Sequence, residues 1–110
     1  MRLPNRDHAF IAHSKLQGYL LSRAHPAGQS KAKFFRAIGF DEMTLPALET
    51  GLLTIAREYV VTQVIASPHG MKYIIDGPLS SPTGQVVSIR TIWIIDTGQE
   101  TPRFVTAYPQ

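Results

Sequence analysis

The stretch Gln85-Val86-Val87-Ser88-Ile89-Arg90-Thr91-Ile92-Trp93-Ile94-Ile95-Asp96 decides the fold. β-branched residues dominate it, and alternate residues fall on opposite faces, Ser88, Arg90 and Ile92 on one and Ile89, Thr91 and Trp93 on the other. It reads as the longest strand of a sheet. Upstream lies a longer connection, Gly77 through Gly84, carrying Pro78 and Pro82. Before that come a strand over Met71 to Asp76, a turn at Ser67-Pro68-His69-Gly70 and a strand over Tyr59 to Ala66. Downstream, Thr97-Gly98-Gln99-Glu100 closes a hairpin into Arg103 to Tyr108. There a regular pleat puts Phe104, Thr106 and Tyr108 on one face, opposite Arg103, Val105 and Ala107. Four consecutive strands with mostly short connections predict an antiparallel meander.

Upstream of residue 59 the period is helical. Ser14 and Gln17 have capping-box spacing, and Leu16, Tyr19 and Leu20 make an apolar stripe, so a helix is expected from Ser14 until Pro26 forbids it near Ala24. Ser30 is a candidate N-cap for a second helix, Lys31 to Ile38, with Phe34, Phe35 and Ile38 inward. Gly39 suits the left-handed residue after that helix, with Phe40 folding back onto it. A third helix, Leu45 to Glu58, has Pro46 in its first turn and Leu48, Leu52, Ile55 and Tyr59 on one face. The expected fold is α+β: about three N-terminal helices packed on one face of a four-stranded antiparallel sheet, in a single domain over 1–110.

The chain has 110 residues and no cysteine, which excludes disulfides, thiolate metal sites and a cysteine nucleophile. Neither a signal-peptide pattern nor an apolar run of membrane-spanning length occurs, so a cytoplasmic protein without a membrane partner is expected. The net charge is +3. Arg23, Lys31, Lys33 and Arg36 crowd one stretch, and no acidic residue falls between Asp7 and Asp41, which favours a polyanionic partner.

Metal-dependent catalysis finds no motif here. His8 and His13 are five apart, His25 and His69 stand alone, and neither H-E-x-x-H nor a carboxylate cluster occurs. A nucleophile elbow and a Walker loop are also missing. The start of the second helix is more suggestive, because a helix N-terminus offers unpaired N–H groups to an anion, and a lysine there is electrostatically unfavourable without one. Spacing leaves open whether Lys31 and His25 form an anion site or are a solvated lysine and a loop histidine. The polar Lys72, Arg90, Arg103, Thr106 and Tyr108 of the strands read equally as a phosphate-binding surface or as the solvated face of a half-covered sheet.

Several segments resemble a family of small bacterial proteins of unassigned function. They are Lys15-Leu16-Gln17-Gly18-Tyr19-Leu20-Leu21, His25-Pro26, Ser30-Lys31-Ala32-Lys33-Phe34-Phe35, Gly70-Met71-Lys72-Tyr73, Thr91-Ile92-Trp93 and the closing Val105-Thr106-Ala107-Tyr108-Pro109. That ending is similar to the terminal strand of toxin domains in the barnase, EndoU, colicin and RelE group of ribonucleases.

The resemblance implies a metal-independent endoribonuclease, without cofactor, in which an RNA 2′-hydroxyl attacks its neighbouring phosphate to leave a 2′,3′-cyclic phosphate. It implies His25 as proton-transfer residue, Lys31 on the phosphate, Lys72 as a second cation, and Thr106 and Tyr108 orienting the phosphate, or Tyr108 stacking on a base. Arg90, on position and chemistry alone, is the alternative second cation, and Arg103 is taken as a further substrate contact. His25 and Lys31 are expected to converge on one pocket. The implied partners are RNA and a small acidic antitoxin-like protein. The competing class is a basic module that binds a protein or nucleic acid without cleaving it.

Overall fold

The computed structural model describes residues 1–22, 24 and 29–110. Three helical segments precede four strands, as the change of period predicts. Helix α1 opens with one α turn, His13–Lys15, and continues as a π-helical stretch, Leu16–Leu20. Helices α2 and α3 cover Gln29–Ala37 and Leu45–Glu58. The strands are β1 Val61–Ser67, β2 Gly70–Ser80, β3 Val86–Asp96 and β4 Arg103–Pro109, antiparallel neighbours in the order β1-β2-β3-β4. No described helix is long and apolar enough to cross a membrane.

The helices cover the sheet face that carries Tyr73, Ile75, Ile89, Trp93 and Phe104, all buried together with Leu48, Leu52 and Ile55 of α3. Packing is close because Gly77 lies under α3, where a Cβ would meet Ile55 at 3.0 and 3.1 Å. Trp93 is fully buried edge-on to Phe104, the ring centroids 5.2 Å apart. Its indole N–H donates to Thr91 Oγ1 at 2.8 Å, and that hydroxyl donates to the Ile75 carbonyl at 2.7 Å. One threonine thus satisfies the polar edge of the largest core side chain.

Helix α2 ends as its sequence predicts. The Gly39 N–H donates to the Arg36 carbonyl and the Phe40 N–H to the Phe35 carbonyl, each at 3.0 Å, with Gly39 at φ 104°. These are the paired bonds of a Schellman motif. Phe40 folds back onto Phe35, centroids 6.3 Å apart. The beginning of α2 differs from expectation, since Ser30 lies inside the helix. Helix α3 has the expected bounds, and a turn at Glu42–Thr44 leads into it. Asp41 and Thr44 form a capping box there: Asp41 Oδ1 accepts from the Thr44 N–H at 3.1 Å and Thr44 Oγ1 from the Asp41 N–H at 2.8 Å.

Helix α1 corrects the sequence reading. It starts at His13, and Gln17 Oε1 meets the His13 imidazole at 2.9 Å instead of capping the Ser14 end. It stops at Leu20, where the Leu21 N–H donates to the Leu16 carbonyl five residues back. That wider turn brings Leu16, Leu20 and Leu21 inward together. Strand β2 runs on through Gly77, Pro78 and Leu79, all paired with β3 beyond the last rung of β1. Proline is tolerated there because β2 is locally an edge.

Strand β4 is also not a regular pleat. Its register with β3 shifts between Ile92↔Thr106 and Trp93↔Phe104, leaving Val105 as the extra residue. Phe104 and Ala107 both therefore point into the core, with Thr106 and Tyr108 away from it. The β4 margin is covered at Phe10, which pairs in parallel with Arg103.

Candidate functional site

The bulge in β4 turns Thr106 and Tyr108 toward the flank where α1 and α2 approach the sheet. Tyr19 of α1 reaches this flank, and its hydroxyl lies 3.2 Å from Thr106 Oγ1. Lys31, the third residue of α2, places its Nζ 5.7 Å from the Tyr19 ring centroid and 6.0 Å from that of Tyr108. Lys15, one turn before Tyr19, adds a second ammonium 4.8 Å from the Tyr19 ring. Neither lysine makes a salt bridge among the described residues. Two cations and two tyrosine rings thus line one edge of the molecule. A groove of about 250 Å³ runs beside Ser14, Lys15, Gly18 and Tyr19.

Arg90 pairs with Tyr108 across the β3–β4 ladder and with Asp76 across β2–β3. Its Nε and Nη2 donate to the two Asp76 oxygens at 2.9 and 3.0 Å, and Gln110 Nε2 donates to Asp76 Oδ2 at 3.0 Å. Hydrogen bonding and charge from Asp76, with a smaller push from the Tyr108 phenol, raise the Arg90 guanidinium above its ordinary range. Two of its donors are committed to Asp76, so Arg90 stands here as a buttress beside Tyr108. Among the described residues, the uncompensated positive charge of the site lies on Lys31 and Lys15.

The structure brings Lys31, Thr106, Tyr108 and Arg90 together and sets Lys72 and Arg103 apart. Those two share the rung Lys72–Ile94–Arg103, two side-chain rows from Asp76–Arg90–Tyr108. At ~3.3 Å per residue, Lys72 is roughly 13 Å along the strand from that site. Arg103 is held by Asp96, its Nε and Nη2 donating at 3.0 and 2.9 Å. His25 lies outside the described residues, and so does its expected convergence with Lys31. Arg36, a member of the basic stretch, is committed to structure. Its Nη2 and Nε donate to the Leu21 carbonyl at 2.7 and 3.0 Å, and it pairs with Glu42.

Sequence reasoning missed Tyr19, Lys15 and Asp76 as parts of this edge. Tyr19 reads as one member of an apolar stripe, and only its spacing of four from Lys15 hints at a shared helix face.

The chain belongs to the family described as Domain of unknown function (DUF6883), whose match spans residues 2–110. No curated protein matches it. Among solved structures it is similar to a chain of a contact-dependent growth inhibition toxin–immunity protein complex from Klebsiella pneumoniae 342. That match has a TM-score of 0.71 at 12% identity and covers 96% of this chain and 97% of the other. At such identity the likeness is one of fold.

Proposed function

We propose that this protein is a toxin-type endoribonuclease that cleaves RNA at Lys31, Thr106 and Tyr108 and is held in check by a partner protein. The observation that carries the reading is the Lys31 ammonium, poised between the Tyr19 and Tyr108 rings without a carboxylate partner among the described residues. A cation so placed suits the charge that builds on a phosphate under attack. The net charge of +3 and the fold shared with a chain of a toxin–immunity complex point the same way.

In the proposed reaction the RNA 2′-oxygen forms a bond to the adjacent phosphorus while the P–O5′ bond breaks. The 2′-hydroxyl proton passes to a base and a proton is delivered to the departing 5′-oxygen, so the step consumes no water. His25 is assigned proton transfer, since an imidazole with an ordinary pKa near ~6.5 can serve in either sense at neutral pH. Lys31 balances the negative phosphorane oxygens, and Thr106 and Tyr108 orient the phosphate. The proposed partner is an acidic protein that covers this edge.

The test incubates the purified chain with end-labelled RNA and with Lys31→Ala, His25→Ala and Tyr108→Phe variants. Fragments ending in a 2′,3′-cyclic phosphate, reduced at least about tenfold by the first two changes, are the expected result. Tight RNA binding with no cleavage under any condition would assign the edge to a binding module instead.

A further inference from the structure

Lys15 and Lys31 approach one aromatic ring, at 4.8 and 5.7 Å from the Tyr19 centroid. Among the described residues neither ammonium has a carboxylate to balance it. Like charges gathered on one ring repel each other, and an exposed cation–aromatic contact offsets little of that repulsion. The Tyr19 ring is itself fixed, partly buried and with its hydroxyl against Thr106 Oγ1. One anchored ring therefore neighbours two positive charges. Only Lys31 also faces Tyr108 and the proposed reacting phosphate. The groove of about 250 Å³ lies on the Lys15 side, beside Ser14 and Gly18, where a strand leaving the reacting phosphate has room to continue.

Resting on the ribonuclease reading, we propose that Lys15 is a second phosphate-binding residue, so that the site takes a single-stranded oligonucleotide and not an isolated dinucleotide. Tyr19 is the spacer that sets Lys15 apart from Lys31, so one lysine meets the reacting phosphate and the other its neighbour along the strand. An unpaired strand suits the site because its backbone can bend from Lys31 into the groove, leaving a base free to stack on Tyr108. Lys15 then contributes to substrate capture, while Lys31 contributes to capture and to the chemical step.

The experiment measures binding of a fully 2′-O-methylated single-stranded RNA of roughly a dozen nucleotides. It carries the phosphates and lacks the attacking hydroxyl. Removing one lysine that neutralises a phosphate should flatten the plot of log affinity against log salt by ~0.7. Lys15→Ala and Lys31→Ala should each show that change and their combination about twice it. Arg6→Ala, at a residue whose carbonyl accepts from Arg57 of α3, should leave the slope near that of the parent. On a cleavable oligonucleotide Lys15→Ala should raise KM with kcat kept. On a dinucleoside monophosphate, which has a single phosphate, it should change neither constant. Thermal melting of Lys15→Ala and Lys15→Gln confirms that both variants fold.

A slope altered by Lys31→Ala and not by either Lys15 variant would overturn the role of Lys15 and leave the ribonuclease reading standing. Equal losses on the dinucleoside and the oligonucleotide would overturn it too, placing Lys15 in the chemistry itself. A folded parent that neither binds nor cleaves RNA would overturn the ribonuclease reading and this inference together.

Discussion

Thr91 carries a hydroxyl into the centre of the core, where it accepts from the Trp93 indole and donates to the Ile75 carbonyl. Thr91→Val keeps the shape and removes both hydrogen bonds. The Trp93 N–H is then buried without an acceptor, and denaturant unfolding should show a loss of ~1–3 kcal/mol. Alternation along β3 puts Thr91 on the face of Ile89 and Trp93, but its two hydrogen bonds were not legible, because they depend on where the Trp93 indole lies. A second residue-scale expectation concerns Asp96. Hydrogen bonding from Arg103, with its charge, holds the Asp96 carboxyl below the usual range. The folded state therefore favours the ionised form. Its stabilising share is complete above the ordinary carboxyl pKa of ~3.9 and is lost as pH falls through the lower folded value. Comparing urea midpoints at about pH 7 and about pH 3, Asp96→Asn should show a smaller acid loss than the parent. Among site residues, Lys31, Thr106 and Tyr108 could be named from the sequence because their residue types carry charge or hydroxyls at suggestive places. Tyr19 and Lys15 could not, because their place at this edge depends on how α1 lies against β4.

At the scale of elements, local chemistry was most legible where one residue type is nearly obligatory. Gly39 is such a place: it sits at φ 104°, and a Cβ there would meet Thr83 Cγ2 at 2.9 Å. Gly39→Ala should lower stability by about 1–2 kcal/mol, read from the unfolding midpoint. The leucine spacing of α3 and the meander order were legible for the same reason, since period and short turns leave few alternatives. The β4 bulge was hidden. Phe104 and Ala107 are an odd number of residues apart, and only an extra residue brings both to one face. Nothing in Val105 announces that it is the one left over. Likewise, Pro78 marks a connection unless one knows that β1 has already ended beside it. Arg36 ties elements together by bonding the Leu21 carbonyl at the end of α1 from the last turn of α2. Arg36→Ala should cost about 1–2 kcal/mol and increase amide exchange at Leu20 and Leu21.

The whole molecule carries a net charge of +3, and that sum governs encounter more than fit. If the proposed acidic partner covers the tyrosine-lined edge, its association rate should fall steeply with added salt, and Lys31→Ala should weaken RNA and partner together. A rate indifferent to salt would place the partner elsewhere, with the exposed β1 strand the natural alternative. Expression of the chain without a partner should arrest bacterial growth, and the Lys31→Ala variant should relieve the arrest. The first ten residues have another consequence at this scale. Met1 accepts a bond from the Val61 N–H beside β1, Asn5 reaches the Glu100 carbonyl, and Phe10 exchanges bonds with the β4 margin. This strap therefore runs from one margin of the sheet to the other, bonded at separate points and seated in the core by Leu3 and Ala9. A pull applied on the Met1 side would meet those points one after another, as a zipper is opened. The long β2–β3 ladder lies between those margins, so such a pull strips the strap before it loads the ladder, which lets go last.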